Sequence, residues 1–140
     1  MLFAIALKTD SSTEDGVGQC FLIVDDDEEM RTYIRRCLRT YGGAENRFLE
    51  ASDGLEALTH MADHAIAAVI TDMVMPRMDG LALCRQIRMH YPGTPVLLIT
   101  GAPPEEARRQ AQNISAAAAL AKPFNASRLR SALDRLLNPT

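Results

Sequence analysis

Five polar residues directly follow or end short apolar runs of the sequence. In order along the chain they carry two carboxylates, a third carboxylate, a hydroxyl and an ammonium group. Asp25 and Asp26 follow the first of these runs, and Asp72 follows a later one. Thr100 and Lys122 stand at the ends of two further runs. If the runs are parallel strands of one sheet, their carboxyl ends meet at one edge and bring these side chains together. The sequence therefore predicts one polar site built from five residues.

Three carboxylates at one edge of a sheet repel one another, and a bound cation would offset this repulsion. Two of them about 5 Å apart, at an effective dielectric near 20, repel each other by roughly 3 kcal/mol. Mg²⁺ fits such a site, because it prefers hard oxygen ligands and binds through one or two carboxylates together with phosphate oxygens. The residue types thus indicate phosphoryl transfer, in which the metal ion, Lys122 and Thr100 stabilise the charge on the transferred group.

A carboxylate can also be the nucleophile of such a reaction. Asp72 is the candidate for this role, because it stands alone after its apolar run, at the centre of the predicted edge. Asp25 and Asp26 form a pair that is better suited to holding the metal ion. The assignment makes Asp72 the predicted phosphorylation site.

The elements that position these residues are predicted from the alternation of apolar runs with helical periodicity, which is typical of an α/β fold with a doubly wound parallel sheet. The sequence predicts five strands, at residues 20–24, 47–51, 67–72, 95–100 and 116–121, and five intervening or following helices. Leu55 and Leu58 are expected to face the core from the second helix, and Tyr41 to end the apolar stripe of the first. The fourth helix, residues 104–113, has only Ala107 and Ala111 to bury and should be the least stable.

Composition places the chain among ordinary globular proteins. Its 140 residues are 47% hydrophobic, carry a formal charge of −3 and have a mean hydropathy of −0.08, which excludes a strongly basic nucleic-acid binder. We predict one domain at residues 19–138, preceded by a polar, flexible leader at residues 1–18. The apolar opening of the leader is too short to span a membrane. Three cysteines without metal-ligand spacing favour a reducing, cytoplasmic location.

The motifs, taken in order, resemble the receiver domain of two-component response regulators. They are Phe21-Leu22-Ile23-Val24-Asp25-Asp26-Asp27, Val69-Ile70-Thr71-Asp72-Met73-Val74-Met75-Pro76-Arg77-Met78-Asp79-Gly80, Leu98-Ile99-Thr100-Gly101 and Lys122-Pro123-Phe124. The resemblance implies a flavodoxin-like five-stranded sheet in the order 2-1-3-4-5. It also implies that a sensor histidine kinase or a histidine phosphotransfer protein is the phosphoryl donor, and that a downstream protein, which the sequence does not name, reads the phosphorylated state.

The resemblance further implies a role for each residue of the site. Asp26, Asp72 and the backbone carbonyl of Val74 would hold Mg²⁺, with Asp25 acting through water. Thr100 and Lys122 would contact the phosphoryl oxygens and relay the phosphorylated state. A cis peptide bond would precede Pro123. Such a domain is not an enzyme acting on other molecules, because it catalyses only its own phosphorylation and dephosphorylation.

Three departures from the family pattern stand out. Ala119 occupies the position, three residues before the lysine, where the family usually has the Tyr or Phe of a conformational switch. Val74 and Ala102 stand where polar residues that are linked to the lifetime of the phosphoryl group are often found. The sequence also predicts no output domain after Leu137, so we expect a stand-alone receiver.

Two alternatives remain open from the sequence. Ala119 is compatible with a receiver that docks its partner without phosphorylation. A phosphatase that resembles the haloacid dehalogenases would use Asp25 as nucleophile and Asp27 as acid/base. Glu29 and the Pro123-Phe124 pair depart from that second pattern.

Overall fold

A computed structural model describes residues 18–114 and 118–138. Its five strands are β1 (Cys20–Val24), β2 (Arg47–Ala51), β3 (Ala68–Asp72), β4 (Val96–Thr100) and β5 (Ala118–Ala121). Its five α-helices are α1 (Glu28–Leu38), α2 (Gly54–Asp63), α3 (Gly80–His90), α4 (Pro104–Ile114) and α5 (Ala126–Leu137), and a 3₁₀ turn covers Tyr41–Gly43. The predicted leader lies outside the described residues, apart from Gly18. None of the helices described is both long and apolar enough to cross a membrane.

The strands form one parallel sheet in the order β2-β1-β3-β4-β5, which confirms the predicted fold and topology. Both faces of the sheet are covered by helices, so the inner strands are mostly continuous apolar runs rather than alternating ones. Helices α1 and α5 pack on one face around Phe21, Ile23 and Ile70. Helices α2 and α3 pack on the other face around Leu22 and Leu98.

Four helices begin at a side chain that caps their first turn. The caps are Asp27 for α1, Asp53 for α2, Asp79 for α3 and Asn125 for α5, and each accepts a hydrogen bond from a backbone N–H of its helix. This contact satisfies an N–H that has no partner within the helix. The caps fix where each of these helices starts, in the loop that follows the preceding strand at the carboxyl edge of the sheet.

Two expectations about helix packing are wrong. Leu55 is 44% exposed, because α2 begins at Gly54 and turns Gly54, Ala57 and Met61 toward the sheet, which leaves Leu55 about 100° away from that face. Tyr41 is not part of α1, which ends at Leu38. It lies in the following 3₁₀ turn, although its ring still packs against Phe21.

The region of α4 and β5 is built from small residues, as the sequence predicts. Ala107 and Ala111 are the buried residues of α4 among those whose side chains are described. The strand β5 begins at Ala118, and residues 116–117 of the predicted strand lie outside the described residues. Alanine is a poor strand former, so the ladder that pairs Ala118 to Ala121 with β4 decides the conformation here rather than local propensity.

The cysteines are free thiols, as the sequence predicts. Cys37 and Cys84 are buried, whereas Cys20 is half-buried. Burial raises the pKa of the Cys84 thiol to about 12, so this thiol stays protonated at neutral pH. Cys37 and Cys84 therefore act as small apolar side chains of the core.

Candidate functional site

The carboxyl edge of the sheet brings together the residues predicted to form the site. Asp25 follows β1, Asp72 ends β3, Thr100 ends β4 and Lys122 follows β5. Carboxylate oxygens of Asp25, Asp26 and Asp72 all lie within 4.8 Å of one another. The four strands concerned are neighbours in the sheet, so the topology itself accounts for the convergence.

Asp72 lies between two positively polarised partners. Its Oδ1 atom accepts a hydrogen bond of 2.9 Å from the backbone N–H of Met73 and lies 3.2 Å from the Lys122 Nζ atom. The Asp72 side chain is 12% exposed and that of Lys122 is 32% exposed. Both contacts engage the same oxygen, and Oδ2 accepts no hydrogen bond from the described part of the chain.

Asp25 is the most deeply buried carboxylate of the three, with 2% exposure. Burial raises the pKa of this carboxyl to about 6, and the nearby Asp72 carboxylate also raises it, although a hydrogen bond of 2.8 Å from the Asp27 N–H opposes the shift. The raised pKa shows that the protein alone stabilises the charged form of Asp25 poorly. A divalent cation would supply the missing stabilisation.

The donor set fits Mg²⁺. It consists of carboxylate oxygens only, and one of the three groups, Asp26, is exposed to solvent and leaves room for the water ligands that Mg²⁺ retains. Among the residues described, no other group of three potential metal ligands of the His, Cys, Asp or Glu type is found. The candidate metal site is therefore the acidic cluster Asp25, Asp26 and Asp72.

Thr100 is buried, with 3% exposure, and its hydroxyl makes two hydrogen bonds. It donates to Gln110 Oε1 of α4 at 3.2 Å and accepts from the N–H of Ala102 at 3.1 Å. The backbone carbonyl of Thr100 accepts the N–H of Lys122 at 2.8 Å, which ties the ends of β4 and β5 together. The peptide bond between Lys122 and Pro123 is cis, as the resemblance implies.

The loop between β3 and α3 carries Val74, whose predicted role is to offer its carbonyl oxygen to the metal ion. Val74 is 75% exposed, and its role as a ligand stays a prediction. The loop is held close to the end of β3 at Gly80, where a Cβ atom would collide with the carbonyl oxygen of Asp72. The N–H of Gly80 donates to the carbonyl of Met73 at 2.8 Å, so only glycine permits this approach without displacing the loop.

The same loop is also fastened to the start of α2. Arg77, at a φ of 62°, donates from Nε to Asp53 Oδ2 at 2.6 Å and forms an ion pair with the same carboxylate. The N–H of Gly54 donates to the carbonyl of Met78 at 3.0 Å. These contacts restrain the loop that runs from Asp72 to Gly80.

Three residues at or near the site were not predicted to contribute to it. Arg31 donates to the backbone carbonyl of Asp25 at 2.6 Å and to Glu50 at 2.9 Å, whereas its place off the apolar stripe of α1 indicates a solvated side chain. Arg77 contacts Asp53, and Gln110 contacts Thr100. The Asp53 contact joins residues 24 positions apart, and no spacing pattern in the sequence signals it.

The comparisons with known proteins agree with this geometry. Residues 21–134 match the family described as the response regulator receiver domain. The chain is 36% identical over 119 residues to the response regulator MprA of Mycobacterium sp. (strain KMS). The aligned segment covers 85% of this chain and 50% of that protein. A second MprA, from Mycobacterium avium (strain 104), is 35% identical over the same length. The chain thus spans about half the length of these curated relatives.

Solved structures show the same fold. The chemotaxis response regulator CheY4 of Vibrio cholerae aligns with a TM-score of 0.76 at 30% identity, over 85% of this chain and 98% of that one. The receiver domain of DrrB activated with BeF3 aligns with a TM-score of 0.73 at 25% identity, over 85% of this chain and 97% of that one. The family match does not favour the phosphatase or the phosphorylation-independent alternative.

Receiver domains bind Mg²⁺ at an acidic pocket and interact with histidine kinases or phosphotransfer proteins, and in general they are not enzymes. The match over residues 21–134, the strand order and the acidic cluster at the carboxyl edge lead to one conclusion. The chain belongs to the response regulator receiver domain family and is a receiver domain of two-component signalling.

Proposed function

We propose that this receiver domain, comprising residues 19–138, takes a phosphoryl group onto Asp72 from a histidine kinase or a phosphotransfer protein. The step depends on Mg²⁺, and the phosphorylated domain binds a downstream protein with altered affinity. The observation that carries the proposal is the position of Asp72, which lies both in the acidic cluster and 3.2 Å from Lys122.

The three carboxylates differ in their fitness as nucleophile. Asp25 is buried, and its raised pKa means that a fraction of it is protonated near neutral pH in the absence of metal. Asp26 is exposed and has no ion pair in the described part of the chain. Asp72 is partly buried, pairs with Lys122 through Oδ1 and keeps Oδ2 available to attack phosphorus.

In the transfer, an Asp72 carboxylate oxygen forms a bond to phosphorus while the bond between phosphorus and the donor nitrogen breaks. The products are an acyl phosphate on Asp72 and the donor imidazole, which takes up a proton. Lys122 neutralises negative charge on the phosphoryl oxygens, and the Thr100 hydroxyl donates a hydrogen bond to one of them. Asp26, Asp72 and the Val74 carbonyl would hold Mg²⁺, with Asp25 acting through water, and the metal ion would supply electrostatic stabilisation of those oxygens.

The surroundings of the domain are proposed on the same basis. A net charge of −3 gives no general attraction to nucleic acid or to anionic membranes, so we propose a protein as the direct downstream partner. Free cysteines fit a reducing compartment, and the proposed location is the cytoplasm. The domain acts on itself and releases no product from another substrate, apart from the spent phosphodonor.

The test is incubation with acetyl phosphate and Mg²⁺, followed by intact-mass spectrometry. We expect one phosphoryl adduct on the parent chain and none on Asp72→Asn or in excess EDTA. Asp27→Asn is the matched control, because Asp27 is an exposed carboxylate next to the cluster whose capping role asparagine can also fill.

Three outcomes would contradict the proposal. An adduct that persists on Asp72→Asn would place the reaction on another residue. No adduct on the parent chain, with partner binding intact, would support docking without phosphorylation. Turnover of acetyl phosphate that depends on Asp25 but not on Asp72 would instead support the phosphatase alternative.

A further inference from the structure

The hydroxyl of Thr100 is directed at α4 in this structure. It donates its hydrogen to Gln110 Oε1 at 3.2 Å, and the Gln110 amide nitrogen in turn lies 3.4 Å from Glu106 Oε2 on the same helix. Thr100 is almost fully buried, so water does not readily replace Gln110 as the acceptor. A buried side chain at the candidate phosphoryl site is thus tied to a specific residue of α4.

A threonine hydroxyl has one hydrogen to donate. It can donate that hydrogen to Gln110 or to an oxygen of a phosphoryl group on Asp72, but not fully to both. We propose that Gln110 is a positioning residue that holds the Thr100 hydroxyl on α4 until phosphorylation, and that the loss of this hydrogen bond is how α4 senses the phosphorylated state. This inference rests on the proposed function, since it takes Asp72 as the phosphorylation site.

The packing of α4 makes it responsive to a single hydrogen bond. Its described buried contacts come from two alanines, Ala107 and Ala111, which give little apolar area to anchor it. A cavity of about 300 Å³ lies between α4, β5 and α5 and is lined in part by Ala107, Arg108 and Ala119. The helix therefore has open space beside it into which it can shift when Gln110 is released.

The small side chain of Ala119 leaves the space beside α4 open. Its methyl group makes no hydrogen bond and fills little of the cavity beside it. Gln110 is the described side chain that hydrogen-bonds the Thr100 hydroxyl.

The experiment is a titration of the metal-loaded domain with beryllofluoride, which stands in for the phosphoryl group, in the parent chain and in Gln110→Met. Methionine keeps the length of the side chain and removes the strong acceptor. Because the competing hydrogen bond is lost, we expect Gln110→Met to bind beryllofluoride roughly two- to tenfold more tightly. Gln110→Glu, which keeps an acceptor oxygen, should not bind more tightly than the parent.

Two controls separate coupling from a general effect on folding. Gln112→Met makes the same change at an exposed position of α4 and should leave the affinity unchanged. In a Thr100→Ala background, Gln110→Met should no longer alter the affinity, because no hydroxyl remains to be released. Amide chemical shifts of Ala107 and Ala111 should move on beryllofluoride binding in the parent and much less in Gln110→Met.

The outcomes distinguish this inference from the proposed function. Equal affinities of the parent and Gln110→Met, or an equal gain in the Thr100→Ala background, would overturn the role of Gln110 alone. Failure of the parent chain to bind beryllofluoride with Mg²⁺ would overturn both the proposed function and the role of Gln110.

Discussion

The strands that carry the acidic cluster and the region of α4 and β5 are held in the fold by different means. On β1 and β3, large side chains such as Phe21, Leu22 and Ile70 are fully buried between helices on both faces. On α4 and β5, the buried residues described are Ala107, Ala111 and Leu120. One region is anchored by extensive apolar packing, and the other by small side chains and a few hydrogen bonds.

This difference matches the different tasks that we propose for the two regions. Metal binding and phosphoryl transfer need carboxylates held at fixed separations, which the packed strands provide. A response to phosphorylation needs an element whose local free energy of opening is low, because such elements change conformation at little cost. The region proposed to bind the metal ion is therefore the closely packed one, and the region proposed to respond is the weakly packed one.

The largest expected effect comes from weakening the packed strands. Ile70→Ala deletes a fully buried side chain of the central strand β3 and should lower the free energy of unfolding by about 2–5 kcal/mol. Urea denaturation measures the loss. Leu55→Ala is the control, because this leucine is exposed and should change stability by less than about 0.5 kcal/mol. A loss of similar size at both positions would refute the described packing of α2.

A smaller effect is expected where the loop after Asp72 meets α3. Gly80→Ala places a methyl group against the Asp72 carbonyl oxygen, which should cost about 1–3 kcal/mol and weaken Mg²⁺ binding by displacing Asp72. Denaturation and a Mg²⁺ titration measure the two effects. Gly93→Ala has open space around the new methyl group and should leave metal affinity unaltered. Normal Mg²⁺ affinity in Gly80→Ala would show that the loop does not position the cluster.

The raised pKa of Asp25 predicts a pH dependence of stability without metal. Because its folded pKa is about 6 and its ordinary value about 3.8, the contribution of Asp25 is fully favourable below pH 4 and is lost as pH rises to 6. In EDTA at pH 7, Asp25→Asn should therefore be more stable than the parent by on the order of 1 kcal/mol.

Urea denaturation between pH 4 and pH 7 tests this prediction for Asp25. The difference between the two proteins should grow over that range and shrink when Mg²⁺ is added, since only the parent has an Asp25 carboxylate whose charge the cation can stabilise. Asp63→Asn, at an exposed position of α2, is the control. A difference that does not vary with pH would contradict the assigned cause.

The smallest global effect is expected in α4. Ala111→Gly should destabilise this helix by about 1 kcal/mol, which raises hydrogen exchange of the α4 amides roughly fivefold while the rest of the domain is little affected. Ala132→Gly makes the same change in α5, among buried leucines, and its amides should exchange only through global unfolding. If α5 responds locally and α4 does not, the contrast between the two regions is wrong.

Much of this arrangement could be predicted from the sequence, because it follows from apolar periodicity and strand ends. The strands, the weak packing of α4 and the convergence of Asp25, Asp26 and Asp72 depend on patterns within short segments. Parallel pairing then brings the strand ends to one edge without further information. These features can therefore be predicted from the residue pattern of short segments.

The contacts between elements could not be predicted in the same way. The Arg77–Asp53 pair and the Thr100–Gln110 hydrogen bond depend on the rotation of helices and on side-chain rotamers, which no spacing in the sequence specifies. Leu55 shows the same limit, because the rotation of α2 about its axis decides whether this side chain faces the core or the solvent. The supporting contacts of the site therefore become visible only in the folded structure.

The most direct test of the central claim is to identify the residue that carries the phosphoryl group. After incubation with acetyl phosphate and Mg²⁺, borohydride reduction converts a phosphorylated aspartate into homoserine, which peptide mass spectrometry locates. The account predicts homoserine at position 72 and at no other position. Homoserine in place of Asp25 or Asp26, with Asp72 unmodified, would contradict it.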